Sequence, residues 1–209
     1  MGDAHEVPAG PAREEPTTKF EAFVVARCSP CVRESYSLTT LPIAPLRPPG
    51  FGPAVASLMA RGGEVRLEVV RAYPLGNVAE QVFVMRATRS IKAGEGQLYP
   101  VSTGLLDEDE VTALANAVAD ISRLTSTRQT QESPPDTTET EFRGGSIRVG
   151  TIRVPGAEVA YIQAGNVQSL RAPTAVETSH AMFLPVSDLP AVYNAMRQIE
   201  ARIRTLRGR

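Results

Sequence analysis

Residues 60–72 read ARGGEVRLEVVRA and residues 142–154 read FRGGSIRVGTIRV, so the chain carries one short pattern twice. Arg61, Gly62, Gly63, Arg66 and Arg71 of the first stretch match Arg143, Gly144, Gly145, Arg148 and Arg153 of the second, with apolar positions matched between them. The correspondence extends downstream, where Glu80 to Ile121 aligns without a gap onto Glu158 to Ile199. Its end is the best part: TGLLDEDEVTALANAVADI meets AMFLPVSDLPAVYNAMRQI and shares Leu106/Leu184, Ala113/Ala191, Asn116/Asn194, Ala117/Ala195 and Ile121/Ile199. Two diverged copies of one unit are the economical reading.

Each copy reads as strand, Gly-Gly turn, strand, hairpin, strand, connecting segment, strand and a long helix. VFVM at 82–85 and AYIQ at 160–163 are the apolar alternating strands. In the first helix Val111, Leu114, Val118 and Ile121 fall at helical spacing, with Asp107 as cap and Glu110 as its capping-box partner. In the second, Leu189, Val192, Tyr193, Met196, Ile199, Ile203 and Leu206 form the stripe, Ser187 is the expected cap, and Pro190 falls in the tolerant first turn. The fold class is therefore α+β: two related repeats, each a roughly four-stranded antiparallel sheet followed by a C-terminal helix, packed as a pseudo-twofold pair.

Composition marks the boundaries. Residues 1–16 are rich in Pro, Glu, Ala and Gly without periodicity and read as a disordered tail. Residues 17–125 form the first repeat, and 28–59 within it are a Cys/Pro-rich insertion that the second copy lacks. Residues 126–136, which contain Pro134-Pro135, read as a linker, and 137–209 form the second repeat. The stretch FEAFVVA at 20–26 reads as an apolar strand leading to the insertion.

At 209 residues and 42% hydrophobic content the chain can bury a substantial core, and its formal net charge of −1 argues against bulk electrostatic coating of nucleic acid or membrane. The basic character is local: from Glu141 to Arg209 nine arginines face five acids. The N-terminus has no signal or transit character and no apolar run approaches about 18 residues, so a cytoplasmic protein with no membrane partner is expected.

The repeated arginines are the candidate anion-binding residues: Arg61, Arg66, Arg71, Arg143, Arg148 and Arg153. A strict period of two breaks at Gly150-Thr151, and a β-bulge there would turn Arg148 and Arg153 to one outward face. Such a ridge suits phosphate, which a guanidinium fork grips with two hydrogen bonds, and an aromatic such as Tyr161 could add stacking for a single strand. The alternative is that outward strand positions are simply polar. An aromatic content of 5% without Trp argues against an extensive stacking surface.

Cys28 and Cys31 form a C-x-x-C that could be a redox pair, half of a zinc site completed across a dimer, or incidental thiols. Only His5 and His180 are histidines, so Ser-His-Asp or Cys-His catalysis has little to draw on. DEDE at 107–110 reads as helix capping rather than a cation site. No phosphate loop or dinucleotide fingerprint occurs, and no cofactor is implied.

The string ATRSIKAGEGQLY at 87–99 resembles the strand-turn-strand near the end of SET-domain methyltransferases and the turn of SAF domains. The SET asparagine-histidine motif and terminal tyrosine pair are missing, so neither activity nor site is implied. Paired units of four strands and one helix resemble, in topology, PUR repeats and Whirly domains, which bind single-stranded nucleic acid. These readings point to a non-enzymatic binding or assembly module with single-stranded nucleic acid as the most testable ligand. The alternatives are a protein-protein scaffold or regulatory subunit, with a homodimer left open, and a CxxC-dependent thiol-redox or zinc protein.

Overall fold

The computed structural model of the chain describes residues 16, 18–92, 96–128, 137–165 and 181–208. The expected tail up to residue 15 lies outside them, as do His5, His180 and residues 129–136 of the expected linker, whose first three residues, 126–128, instead continue helix α3. The first half runs α1 (Lys19–Arg27), β1 (Cys31–Ile43), α2 (Pro53–Met59), β2 (Gly63–Pro74), β3 (Val82–Lys92), β4 (Leu98–Asp107) and α3 (Glu108–Arg128). The second runs β5 (Thr138–Gly144), β6 (Ile147–Val154), β7 (Ala157–Ala164), β8 (Ala181–Pro185), a 3₁₀ turn (Val186–Asp188) and α4 (Leu189–Arg207). Each half is a four-stranded antiparallel sheet, β1-β2-β3-β4 or β5-β6-β7-β8, followed by its helix, and the halves pair about a pseudo-twofold. No helix among the described residues is long and apolar enough to cross a membrane.

Alternation along the strands decides what each sheet buries. Val65, Leu67 and Val69 of β2, with Ile147 and Val149 of β6, turn to the inner faces, joined by Met85, Ala87, Ala160 and Ile162. Against them pack the expected stripes of α3 (Val111, Leu114, Val118, Ile121) and α4 (Leu189, Val192, Met196, Ile199, Ile203, Leu206). The two helices pack on each other. Each also reaches the other half's sheet, α3 on β5 and β6 and α4 on β1 and β2, so both halves share one core. The Arg202 guanidinium of α4 stacks 4.8 Å from the centre of the Tyr36 ring on β1.

Three local expectations are corrected. FEAFVVA is helix α1, not a strand, because Thr18 and Glu21 form a complete capping box just ahead of it. The first strand of the first sheet lies instead inside the insertion, as thirteen-residue β1, with α2 beyond the Pro-rich stretch. Finally, no bulge occurs at Gly150-Thr151: β6 pairs in unbroken register with both β5 and β7. The period of two fails there because β6 is buried on both faces, and a strand covered on both sides has no reason to alternate.

The DEDE run serves as an anchor. The Asp107 carboxylate accepts from the backbone N–H of Lys19 at 2.7 Å and of Phe20 at 3.1 Å, which caps α1 from 88 residues away. Its own N–H donates to Glu110 at 3.3 Å, the expected return bond of the α3 start. Asp109 pairs with Lys19 and Glu108 with Arg207. Helix α4 starts from a 3₁₀ turn with Asp188 at the N-cap and Pro190 in its first turn, and the expected Ser187 cap is not used.

The halves also meet at a turn. Gly145 has φ +48, and a Cβ there would lie 2.4 Å from the Leu105 carbonyl oxygen. Beside it the Ser146 hydroxyl accepts from the Leu105 N–H at 2.7 Å, and the Ser146 N–H donates to the Leu105 carbonyl at 2.9 Å. Gly62-Gly63, by contrast, leads from α2 into β2 and makes no hairpin. Gly145→Ala should therefore lower unfolding stability by roughly 2–4 kcal/mol, through a strained φ and a backbone clash together, as read from urea denaturation.

Candidate binding surface

The expected arginine ridge needs Arg66 and Arg71, or Arg148 and Arg153, on one face. Without a bulge, residues five apart on a strand point to opposite faces, and the structure separates them so. Arg66 is exposed on the outer face of the first sheet, 3.8 Å from Glu64. Arg71 faces the other way, half-buried, with its guanidinium 3.4 Å from Glu34 and 4.8 Å from the centre of the Tyr73 ring. Arg61 and Arg143 are exposed, the former just ahead of β2 and the latter on β5 opposite Arg148. Arg153 is half-buried and faces Glu158 in register.

Arg148 departs furthest from the expectation, since its side chain is 0% exposed. Its Nη1 lies 3.5 Å from Glu141, while Nε and Nη2 have no hydrogen-bond acceptor among the described residues. It stands on the outer face of the second sheet, which the insertion of the first half closes: Leu46, Phe51, Val55, Leu58 and Met59 pack over Ile152, Val159, Tyr161, Ala181 and Phe183. Tyr161 crosses Gly150, where a Cβ would lie 2.8 Å from its hydroxyl, and donates to Glu139 at 2.7 Å and Glu141 at 3.2 Å. Burial and those two carboxylates push the Tyr161 hydroxyl far above its ordinary pKa. Arg148 and Tyr161 are thus sealed beside Glu139 and Glu141, out of reach of a phosphate chain.

The outer face of the first sheet is only partly closed. Helix α1 lays Phe20 and Val24 on Val70, Ala72, Val82, Val84 and Leu105. Alongside it runs a groove of about 730 Å³. Arg33 and Ser35 stand at its β1 end, Val70, Val84 and Arg86 at its middle, and Val101, Ser102 and Thr103 at its β4 end, where Ser146 and Gly165 of the second half complete the wall. Arg86 donates from Nε to Glu68 at 2.8 Å and from Nη2 to Ser35 at 3.2 Å, and the Ser37 hydroxyl donates to Glu68 at 3.0 Å. Arg33 is exposed and makes no ion pair among the described residues. Leu98 and Tyr99 of β4, beyond the groove, are 41% and 48% exposed, and Val101 at its end is 40% exposed.

Sequence reasoning passed over this groove, although CVRESYSLTT carries its signal. Arg33, Ser35 and Ser37 alternate with Val32, Glu34, Tyr36 and Leu38, the pattern of a strand with one open face. On the inner side of that strand Glu34 accepts from the hydroxyls of Tyr36 at 2.6 Å and Tyr73 at 3.1 Å. The Tyr36 bond above all, with Tyr73 and Arg71, holds the Glu34 carboxyl below its usual range.

Cys28 and Cys31 are joined as a disulfide, with Cα atoms 4.7 Å apart, at the junction of α1 and β1. Among the described residues no group of three or more His, Cys, Asp or Glu could hold a metal ion. Arg89 is 4% exposed, and burial, with Arg61 nearby, brings its guanidinium down to about 10. No protein-family model matches the chain, and no curated protein is significantly similar to it.

Two outcomes check this charge assignment. Glu141→Gln strands a fully buried cation and should cost roughly 2–4 kcal/mol in denaturant unfolding, whereas Arg148→Met should cost less, because Glu141 can hydrate once its partner is gone. Glu34, with its folded pKa depressed, contributes stability above its unfolded pKa and loses that contribution as pH falls through the folded value. Glu34→Gln should therefore flatten the decline in stability between about pH 5 and pH 3, measured by thermal melts across that window.

Proposed function

We propose that the chain is a non-enzymatic binding and assembly module whose ligand is a segment of a protein partner, held on the outer face of the first sheet. The carrying observation is the unequal treatment of two equivalent surfaces. The second sheet's outer face is closed by the insertion, whereas the first keeps a groove of about 730 Å³ beside exposed apolar side chains. Exposed apolar residues next to a concave, partly polar surface are the usual marks of a protein contact.

The composition of this face favours protein over single-stranded nucleic acid as the ligand. Arg66 and Arg86 are answered by Glu64 and Glu68, so little uncompensated positive charge remains for a phosphate backbone. Phe20 is the one aromatic lining the groove among the described residues, and at 7% exposure it offers no ring for bases to stack on.

The test uses an unbiased ligand pool. A random 12-residue peptide library displayed on phage should yield peptides that bind the full chain at micromolar affinity. Ser35→Trp, which fills the groove from an exposed position, should weaken them at least tenfold with the circular dichroism spectrum unchanged. In parallel, a mixed-sequence 20-nucleotide single strand is titrated at about 50 and 200 mM salt. Micromolar oligonucleotide binding at low salt, lost on Arg66→Glu, would overturn the protein reading in favour of nucleic acid, and failure of every selected peptide to distinguish Ser35→Trp from the native chain would overturn the groove as the docking face.

A further inference from the structure

The groove has a shape, a direction and a charge pattern that narrow what it holds. Helix α1 is anchored by Asp107 at the end of β4 and finishes just before Cys31 at the start of β1, so it crosses all four strands of the first sheet. The groove runs beside it over the same strands, since its lining includes residues from β1, β2, β3 and β4. Three strand spacings of about 4.8 Å make a crossing of about 14 Å, and a helix rises about 1.5 Å per residue, so roughly nine helical residues span it. A single helix covers a stripe about 10 Å wide. The outer face thus has one helix in place and a trough along that helix's flank, which is the lodging two helices side by side on a sheet would occupy.

The two ends of the trough differ in chemistry. At the β1 end stand Arg33, which has no ion-pair partner among the described residues, and the Ser35 hydroxyl, whereas the β4 end leads to Val101, Tyr99 and Leu98. Between them the half-buried Leu105 is the apolar part of the floor, with Val70 and Val84 buried beneath α1, Glu21 of α1 on the helix side and the Arg86–Glu68 pair along the other.

On the reading that this face docks a protein partner, we propose that the docked segment is an amphipathic helix lying alongside α1. It presents an apolar stripe to Leu105 and Val101, and carries a carboxylate at the end that meets Arg33. The arrangement is helix-in-groove recognition, with apolar anchors at helical spacing supplying affinity and the charged end setting direction. Arg33 serves direction because its guanidinium can grip a carboxylate with two parallel hydrogen bonds, and such a contact exists in one orientation of the helix only.

The experiment is a phage-displayed library on a helical scaffold of sixteen residues, with Leu fixed at i, i+3, i+7 and i+10 and the remaining positions randomised, selected against the full chain. Enriched peptides should carry Asp or Glu at one end of the stripe and not at the other, and should bind at micromolar affinity in fluorescence anisotropy. Arg33→Glu should weaken them at least tenfold and reverse the preference, so that reselection enriches Lys or Arg at that same end. A spin label on the peptide's acidic end should broaden resonances of β1 residues, and one on the other end those of β4. Enrichment without any end preference, or peptides indifferent to both Arg33→Glu and Ser35→Trp, would overturn the helix assignment. If these peptides fail while unconstrained 12-mers still distinguish Ser35→Trp, the partner is an extended segment and the docking face itself stands.

Discussion

Everything in this molecule depends on burying the inner faces of two sheets with one pair of helices. Neither sheet could hide Val65, Leu67, Val69 or their counterparts Ile147 and Val149 by itself, and neither α3 nor α4 is wide enough to cover a four-stranded surface alone. Packing the helices on each other, each also reaching the opposite sheet, solves both problems in one shared core. The Gly145-Ser146 turn then ties the edge of the first sheet to the second half, since Ser146 satisfies both the N–H and the carbonyl of Leu105.

With the inner faces spent, the outer faces become the free variable, and the two halves use theirs differently. The first half lends its insertion to the second sheet, laying Phe51, Val55, Leu58 and Met59 over Tyr161 and Phe183. Its own sheet receives only α1, clamped by the Asp107 carboxylate. One arginine, present in both copies, therefore meets two fates. Arg66 stays in water beside Glu64, whereas Arg148 is sealed and leans on Glu141. A buried guanidinium stabilises only as far as its carboxylate compensates for lost hydration, so Arg148 is a structural charge where Arg66 is a surface one.

Much of the architecture was legible because it rests on short-range rules. The apolar stripes of α3 and α4 follow the 3.6-residue period, the paired strands follow alternation, and the RGG match placed Val65 with Ile147 on equivalent inward positions. Where the reading slipped, the missing information was a specific local device or a distant partner. The capping box of Thr18 and Glu21 was readable and identifies α1 as a helix, yet its apolar run alone resembles a strand. The parity break in β6 looks like a bulge along the chain, but its cause is a cover that comes from about a hundred residues upstream.

The sequence by itself determined the repeat, the α+β class and the apolar stripes of α3 and α4, since side-chain periodicity is a property of consecutive residues. It also held the alternation that marks β1 as having an open face. Only the tertiary structure decided which outer face is covered, because that depends on where the insertion lands after the two halves close. Whether Arg148 meets solvent follows from that landing, and whether Asp107 caps the helix after it or the one 88 residues before it, with a groove left beside α1, follows from where α1 docks. Spacing along a chain sets the direction in which a side chain points; what stands there to meet it is set by elements that are far away in sequence and near only in space.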